Sequence, residues 1–254
     1  MEEEIERLPI LRVGEQGRSE VEDTVVRELP LTIILNEREL VTLLCSPTKL
    51  EYLTAGYLWS EGLIERKDEI REMKLDREKG VVRVETARAM NVPFKPLLAS
   101  GGGRGIAPLS ARKVSAGLQI KISASRVFFL MEGFREYSRV FEATGGVHSA
   151  ALYEADNLII FSEDIGRHNA IDKVLGECLL RDIPTADDHI MITSGRVSSE
   201  ILLRVARRNI PLLISKSAPT NLGVRLASDL GVTLIGFARG KRMNVYAHGW
   251  RVVD

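Results

Sequence analysis

Cysteine is scarce: Cys45 and Cys178 are the only two in 254 residues, too few for a disulfide framework. Neither stands in a CxxC pattern, and the four histidines, His148, His168, His189 and His248, form no HxxxH or HxE pattern. A zinc site is therefore not expected. No apolar run approaches the ~20 residues that a membrane span needs. The acidic opening "MEEEIERLPI" lacks the basic start and apolar stretch of a secretory leader, so the expected location is cytoplasmic. Net charge is absent too, with 35 Lys+Arg against 35 Asp+Glu. That argues against a general affinity for nucleic acid, and any anion site must come from local clustering. There is no internal repeat and no low-complexity tract.

What is present is an ordinary globular composition, 44% hydrophobic and 28% charged, long enough to bury a sizeable core. Residues 1–97 read as a small α+β domain. "LPLTIILNERELVTLL" and "EIREMKL…VVRVETA" are hairpins. Between them "SPTKLEYLTAGYLWSEG" is a helix, with Ser46 as its cap, Pro47 at its first helical position and Gly62 as its stop. Residues 98–108 are a glycine-rich interdomain loop. Residues 109–254 form an α/β domain: "SASRVFFLMEGFREYSRVF" is a helix capped by Ser125, and beyond it short apolar strands alternate with helices. That alternation predicts a parallel sheet covered on both faces. Cys178 shares a helical face with Ile171, Val174, Leu175 and Leu179, and Cys45 ends an apolar run, so both thiols are expected to be structural.

In such a sheet ligands sit at the carboxyl ends of the strands. The segments there are "SEDIGRH", "SGRVS", "KSAPT" and "ARGKR". They carry Arg167, His168, Arg196, Lys216, Arg239, Lys241 and Arg242 against only Glu163 and Asp164. Helix N-termini add aligned amides at the same edge, and Gly166, Ser194, Gly195, Ser198 and Gly240 leave room for a ligand. The pattern predicts a site for a polyanion, most simply phosphates. Any one of these cations taken alone could equally cap a helix or sit solvated. Asp164 could orient Arg167 or His168, and Lys173 could reach the crevice from one turn into its helix. "TGGVHSAAL" brings Thr144, Gly145, Gly146 and His148 to the sheet, where His148 is a candidate donor or acid/base. Glu163 and His168 are the other proton-transfer candidates.

"TGGVHSAAL", "EDIGRHNAIDKVLG", "TSGRVSSEI", "KSAPTNLGVRLA" and "GFARGKRMNVYAH", with "CSPTKLEYLTAGYLWSEGLI" upstream, resemble the FdhD/NarQ family of formate dehydrogenase accessory proteins over about residues 24 to 250. The resemblance implies a cytidine-deaminase-like three-layer α/β/α core, a smaller N-terminal domain and a homodimer. It also implies that sulfur is taken from a cysteine desulfurase as a persulfide. The sulfur then passes to a molybdenum or tungsten bis(pterin guanine dinucleotide) destined for formate dehydrogenase, and a guanine nucleotide would be a partial mimic of that cofactor. Phe237, Ala238, Arg239, Gly240, Lys241 and Arg242 match the family's cofactor-binding segment. Ser194, Gly195 and Arg196, and from the other motifs Asp164, Arg167, His168, Asn169, Lys173, Lys216 and Ser217, are expected around the same crevice. The HxE and PCxxC zinc elements of true deaminases are absent.

One stretch departs from the family. The CGxCG motif of sulfur-transferring members falls here on "GGGRG", placing Gly101 and Arg104 where the two cysteines stand. A persulfide relay needs a thiolate, so this chain is expected to bind the cofactor without transferring sulfur. Two alternatives stay open: a sulfurtransferase that uses Cys45, or a guanine-nucleotide sensor without pterin. "SGGGRG" is not a Walker loop, because no GK[ST] follows.

Overall fold

The computed structural model describes residues 2–87, 98–99, 114, 120–185 and 188–254. The loop carrying Gly101 and Arg104 lies outside them. The chain opens with β1 (Ile5–Gly14) and β2 (Gly17–Val26), an antiparallel ribbon in continuous register from Ile5↔Val26 to Gly14↔Gly17. β3 (Leu29–Leu35) and β4 (Arg38–Cys45) form the first expected hairpin. Leu31, Ile33 and Leu35 alternate into the core, and the turn uses left-handed Asn36 and Glu37. After α1 (Leu50–Ser60) come β5 (Ile70–Asp76), β6 (Val81–Thr86), which form the second expected hairpin, and β7 (Leu98–Ala99). Their sheet runs β5-β6-β3-β4-β7.

The start of α1 differs from the expectation. Ser46 is not its cap and Pro47 is not its first residue: the helix begins at Leu50 after a left-handed Lys49. Ser46 is engaged instead by a distant segment, its amide donating to Asp164 Oδ2 at 3.0 Å and its hydroxyl accepting from Ile165 N at 3.2 Å.

β8 (Ile122–Ser123) leads into α2 (Ala124–Tyr137), capped by Ser123, whose hydroxyl accepts from Arg126 N, rather than by Ser125. The expected single long helix breaks at Ser138, whose hydroxyl bonds back to Phe134 O, and α3 (Arg139–Thr144) starts afresh. β9 (His148–Glu154), β10 (Asn157–Asp164), α4 (Arg167–Leu180), β11 (His189–Thr193), α5 (Ser199–Arg207), β12 (Leu212–Ser215), α6 (Asn221–Leu230), β13 (Thr233–Arg239) and β14 (Arg242–Ala247) follow. β15 (Val252–Val253) pairs with β8. The six-stranded sheet runs β10-β9-β11-β12-β13-β14.

This sheet is mixed, not parallel. β11, β12 and β13 are parallel, but β9 runs against both neighbours and β14 against β13. Tight reversals at Ala155–Asp156 and Gly240–Lys241 make antiparallel hairpins of β9–β10 and β13–β14, which is what departs from the expected parallel sheet. Alternate residues supply two faces. Ala150, Leu152, Met191, Leu213 and Leu234 pack toward α4, α5 and α6, in an apolar core continuous with α1 and the N-terminal sheet. Ala151, Tyr153, Ile190, Ile192, Ile214 and Ile235 pack toward α2.

The two sheets are joined by α1 crossing α4 at Gly56 and Gly176, whose backbones touch. Charge is buried around the crossing. Arg204 reaches Asp172 (3.0 Å) and Glu61 (2.9 Å), Asp172 also accepts from Ser60, and the Arg208 guanidinium lies 3.6 Å from the centre of the Trp59 ring.

Candidate functional site

Register fixes one edge of the six-stranded sheet. Asp164 lies opposite His148, Ala150 opposite Thr193, and Thr193 opposite Ser215. The carboxyl ends of β10 to β13 and the start of β9 therefore share one rim, as the strand-end reading required. A cleft opens there in two chambers. The larger, 660 Å³, has an aromatic wall from α2 and α3 (Phe128, Phe129, Phe134, Phe141), with Glu132 and Arg135 on the same side, and a cationic one from Lys216, Arg239 and Lys241. The smaller, 420 Å³, is bounded by Gly145, Gly146, His148, Ser217 and Phe237, among others. Phe141, Ser194, Lys216 and Arg239 line both chambers. The Lys216 ammonium stands 5.4 Å from the centre of the Phe141 ring, within cation–π range. Phe237 holds a left-handed backbone, its amide donating to Ser217 O at 3.0 Å, and the Arg239 guanidinium lies 5.9 Å from its ring. Chemically the cleft can stack a flat heterocycle and pair with several negative charges.

His148 is half-buried, with Nδ1 3.4 Å from Ser194 Oγ. Burial, then Arg167, Arg196 and His168, lower its pKa from the ordinary imidazole value, with a smaller opposing pull from Asp164. The neutral ring is thus favoured. Arg167 folds over Gly195, whose added Cβ would lie 2.8 Å from Arg167 Cβ. This cluster can be read without any ligand. In Arg167→Ala/Arg196→Ala the His148 titration followed by NMR is expected to move up toward the ordinary value; an unchanged midpoint would mean that the guanidiniums do not act on this ring.

Other expected residues lie elsewhere. Asp164, Asn169 and Lys173 are buried behind the rim. Lys173 Nζ is 2.7 Å from Asp164 Oδ2 and also donates to Ser46 O and Glu163 O, while Asn169 Nδ2 donates to Leu44 O and Asp164 Oδ1. These groups bind the N-terminal unit to α4. Glu163 caps α3, accepting from Val140 N and Phe141 N at 3.0 Å each; burial raises its pKa, and the two amides pull it back. His168 is buried with Nε2 3.1 Å from Glu200 Oε2 and no hydrogen-bonding partner for Nδ1 among the described residues. Thr144 bonds Val140 O and receives Gly146 N. Arg242 is exposed and pairs across the β13–β14 turn with Arg239.

Sequence reasoning missed the α2–α3 side, namely Arg135 and the four phenylalanines. The signal available was "RVFFLMEGF", whose Phe129 is 63% exposed. It also missed Glu154, Asp188 and His189, whose ligand atoms gather at the opposite end of β9 and β11, away from the cleft.

The family model described as "FdhD/NarQ family" matches residues 26–253. The chain belongs to that family. A sulfur carrier protein FdhD from Bacillus subtilis is 41% identical over 247 residues, covering 94% of each chain, and one from Bacillus pumilus is 40% identical, covering 91% of each. The crystal structure assigned as a formate dehydrogenase accessory protein from Desulfotalea psychrophila aligns with TM-score 0.82 at 27% identity, over 98% of this chain and all of that one. Against this FdhD/NarQ background the thiols matter. Cys45 and Cys178 are both fully buried, and burial, the largest cause, pushes each to about 12. Cys45 Sγ donates to Leu29 O. Neither is a thiolate at neutral pH.

Proposed function

We propose that this FdhD/NarQ member is an accessory protein of formate dehydrogenase maturation. It holds a molybdenum or tungsten bis(pterin guanine dinucleotide) in the two-chambered cleft, and its own thiols carry no sulfur. The observation that carries the reading is that the aromatic wall and Lys216, Arg239 and Lys241 line one and the same chamber. A flat heterocycle with a phosphorylated tail is the chemistry such a pair of walls suits. The relatives' description as sulfur carriers and the solved neighbour's as a formate dehydrogenase accessory protein support the pathway. Formate dehydrogenase is the partner, a cysteine desulfurase at most an indirect one, and a homodimer the assembly. The larger sheet with its flanking helices is read as a cytidine-deaminase-like core put to binding.

Two measurements test this. GDP, as a probe for the cofactor's tail, is expected to bind, and Arg239→Ala to weaken it by about tenfold or more, the loss of a charge-assisted contact worth ~1.5–3 kcal/mol. Absence of GDP binding, or equal affinity in the variant, overturns the cofactor reading. Incubation with a cysteine desulfurase and radiolabelled cysteine is expected to leave no reductant-labile label on the chain. Label that vanishes in Cys45→Ser restores a sulfurtransferase.

A further inference from the structure

At the end of the six-stranded sheet that faces away from the cleft, the described residues hold a single group of three side chains with metal-ligating atoms. Those atoms, one each from Glu154, Asp188 and His189, all lie within 4.8 Å of one another. Backbone register makes the group. Glu154 closes β9 and His189 opens β11, and the two stand directly opposite in the antiparallel ladder, so their side chains leave the same face of the sheet. Asp188 precedes His189 in the chain, and its Oδ1 is 3.2 Å from His189 Nδ1. Glu154 and Asp188 are exposed, whereas the imidazole is only 5% exposed. Two solvated carboxylates alone would be plain surface. The buried ring sets this group apart: a nitrogen donor, held by its strand and turned toward Asp188, sits beneath two oxygen donors that stay free to rotate. Neither carboxylate pairs with Lys or Arg among the described residues, and Arg126, which reaches the β9–β10 turn, pairs with Asp156 at 2.8 Å instead.

We infer that Glu154, Asp188 and His189 form a binding site for one divalent transition-metal ion of the zinc type, which fastens the end of β9 to the start of β11. The donor set selects the class of ion. An imidazole with carboxylates suits zinc and its first-row neighbours, whereas magnesium and calcium take oxygen donors and have no use for a buried ring nitrogen. The spacing agrees. Nitrogen and oxygen donors bind zinc at about 2.0–2.2 Å, so two donors on one ion stand no more than ~4.4 Å apart. The contact of His189 with Asp188 is already inside that span, and a small turn of the exposed carboxylates brings in the rest. Three protein ligands leave the fourth, solvent-facing position to water. Cross-strand register, not spacing along the chain, unites the histidine with Glu154, which is why no HxE or HxxxH motif announces the site. Its place on the fold follows: the chain comes back from α4 into the sheet at His189, and an ion there would pin that entry. The site shares no residue with the cleft, so it stands or falls apart from the cofactor reading.

The experiment is calorimetric titration of the full chain, first stripped with a chelator, with zinc chloride and separately with magnesium chloride. One zinc ion is expected to bind per chain, and magnesium to bind far more weakly. His189→Gln, Glu154→Gln and Asp188→Asn are each expected to weaken zinc by about tenfold or more, since even a group that only supports a ligand is typically worth ~10–100-fold in metal affinity. Glu154 and Asp188 are exposed, so their variants carry the test if the change at the buried His189 impairs folding. Both thiols are buried and protonated at neutral pH, which removes them as competitors for zinc. Arg239→Ala, in the cleft, is expected to bind zinc as the wild type does. No zinc binding, or zinc bound equally well by the three cluster variants, overturns the inference. So does magnesium bound as tightly as zinc, which would leave the imidazole without a part, and so does loss of zinc in Arg239→Ala, which would move the ion to the cleft.

Discussion

Alanine at Gly56 or Gly176 is expected to abolish the folded protein. At Gly56 the added methyl would lie 1.7 Å from the carbonyl oxygen of Asp172, and at Gly176 it would lie 1.9 Å from that of Tyr52. Both obstacles are backbone, so no rotamer change relieves them, and α1 and α4 must separate. Overpacking a core costs typically ~1–3 kcal/mol where side chains can yield; here the whole crossing yields, and with it the apolar core that runs from Leu31 and Val82 to Val174 and Val205. Soluble yield and thermal unfolding of each variant check this. Serine, scarcely larger, should fail alongside alanine. An alanine variant that melts within a few degrees of wild type would mean that the helices do not cross this closely.

The second large effect concerns Lys173. Replacing it by methionine is expected to cost about 3–5 kcal/mol, the range for removing one partner of a buried ion pair. Lys173 and Asp164 have no solvent exposure. The carboxylate would keep three donors, Ser46 N, Gly166 N and Asn169 Nδ2, but lose its counter-charge. Asp164→Asn should be comparably harmful, because it strands the ammonium and turns an amide N–H toward Ser46 N. The double variant should cost less than the sum of the two, since each single change leaves a charge that the other removes. Chemical denaturation of the three variants measures the coupling. Strict additivity would show that the pair does not interact.

These two sites mark where sequence reading stops. β3, β4, β9 and the helices α4 to α6 were legible because their apolar periods are clean and their bounding residues are turn formers. So was the rim, because strand ends in such a sheet are fixed once the strands are. The β1–β2 ribbon was not: "IERLPILRVG" mixes exposed Leu8, Leu11 and Val13 with charges and a proline. "EDIGRHNAIDK" misled in a more instructive way. Its position at a strand end is real, yet Asp164, Asn169 and Lys173 face inward onto Ser46 and Leu44, contacts across more than a hundred residues that no local pattern reveals. Polar density marks either a ligand site or a joint between units, and here Lys173 belongs to the joint while Arg167 stands over Gly195 at the rim. The phenylalanine wall escaped because adjacent Phe128 and Phe129 cannot share a helical face, and periodicity alone does not say which stays open.

Glu163 makes those two roles mechanically one. Its carboxylate fastens the amides of Val140 and Phe141, and its carbonyl receives Lys173. The start of α3, which sets the Phe141 ring at the neck of the cleft, and the ammonium buried at the joint between the sheets thus hang on a single residue, so that displacing either one would load the other.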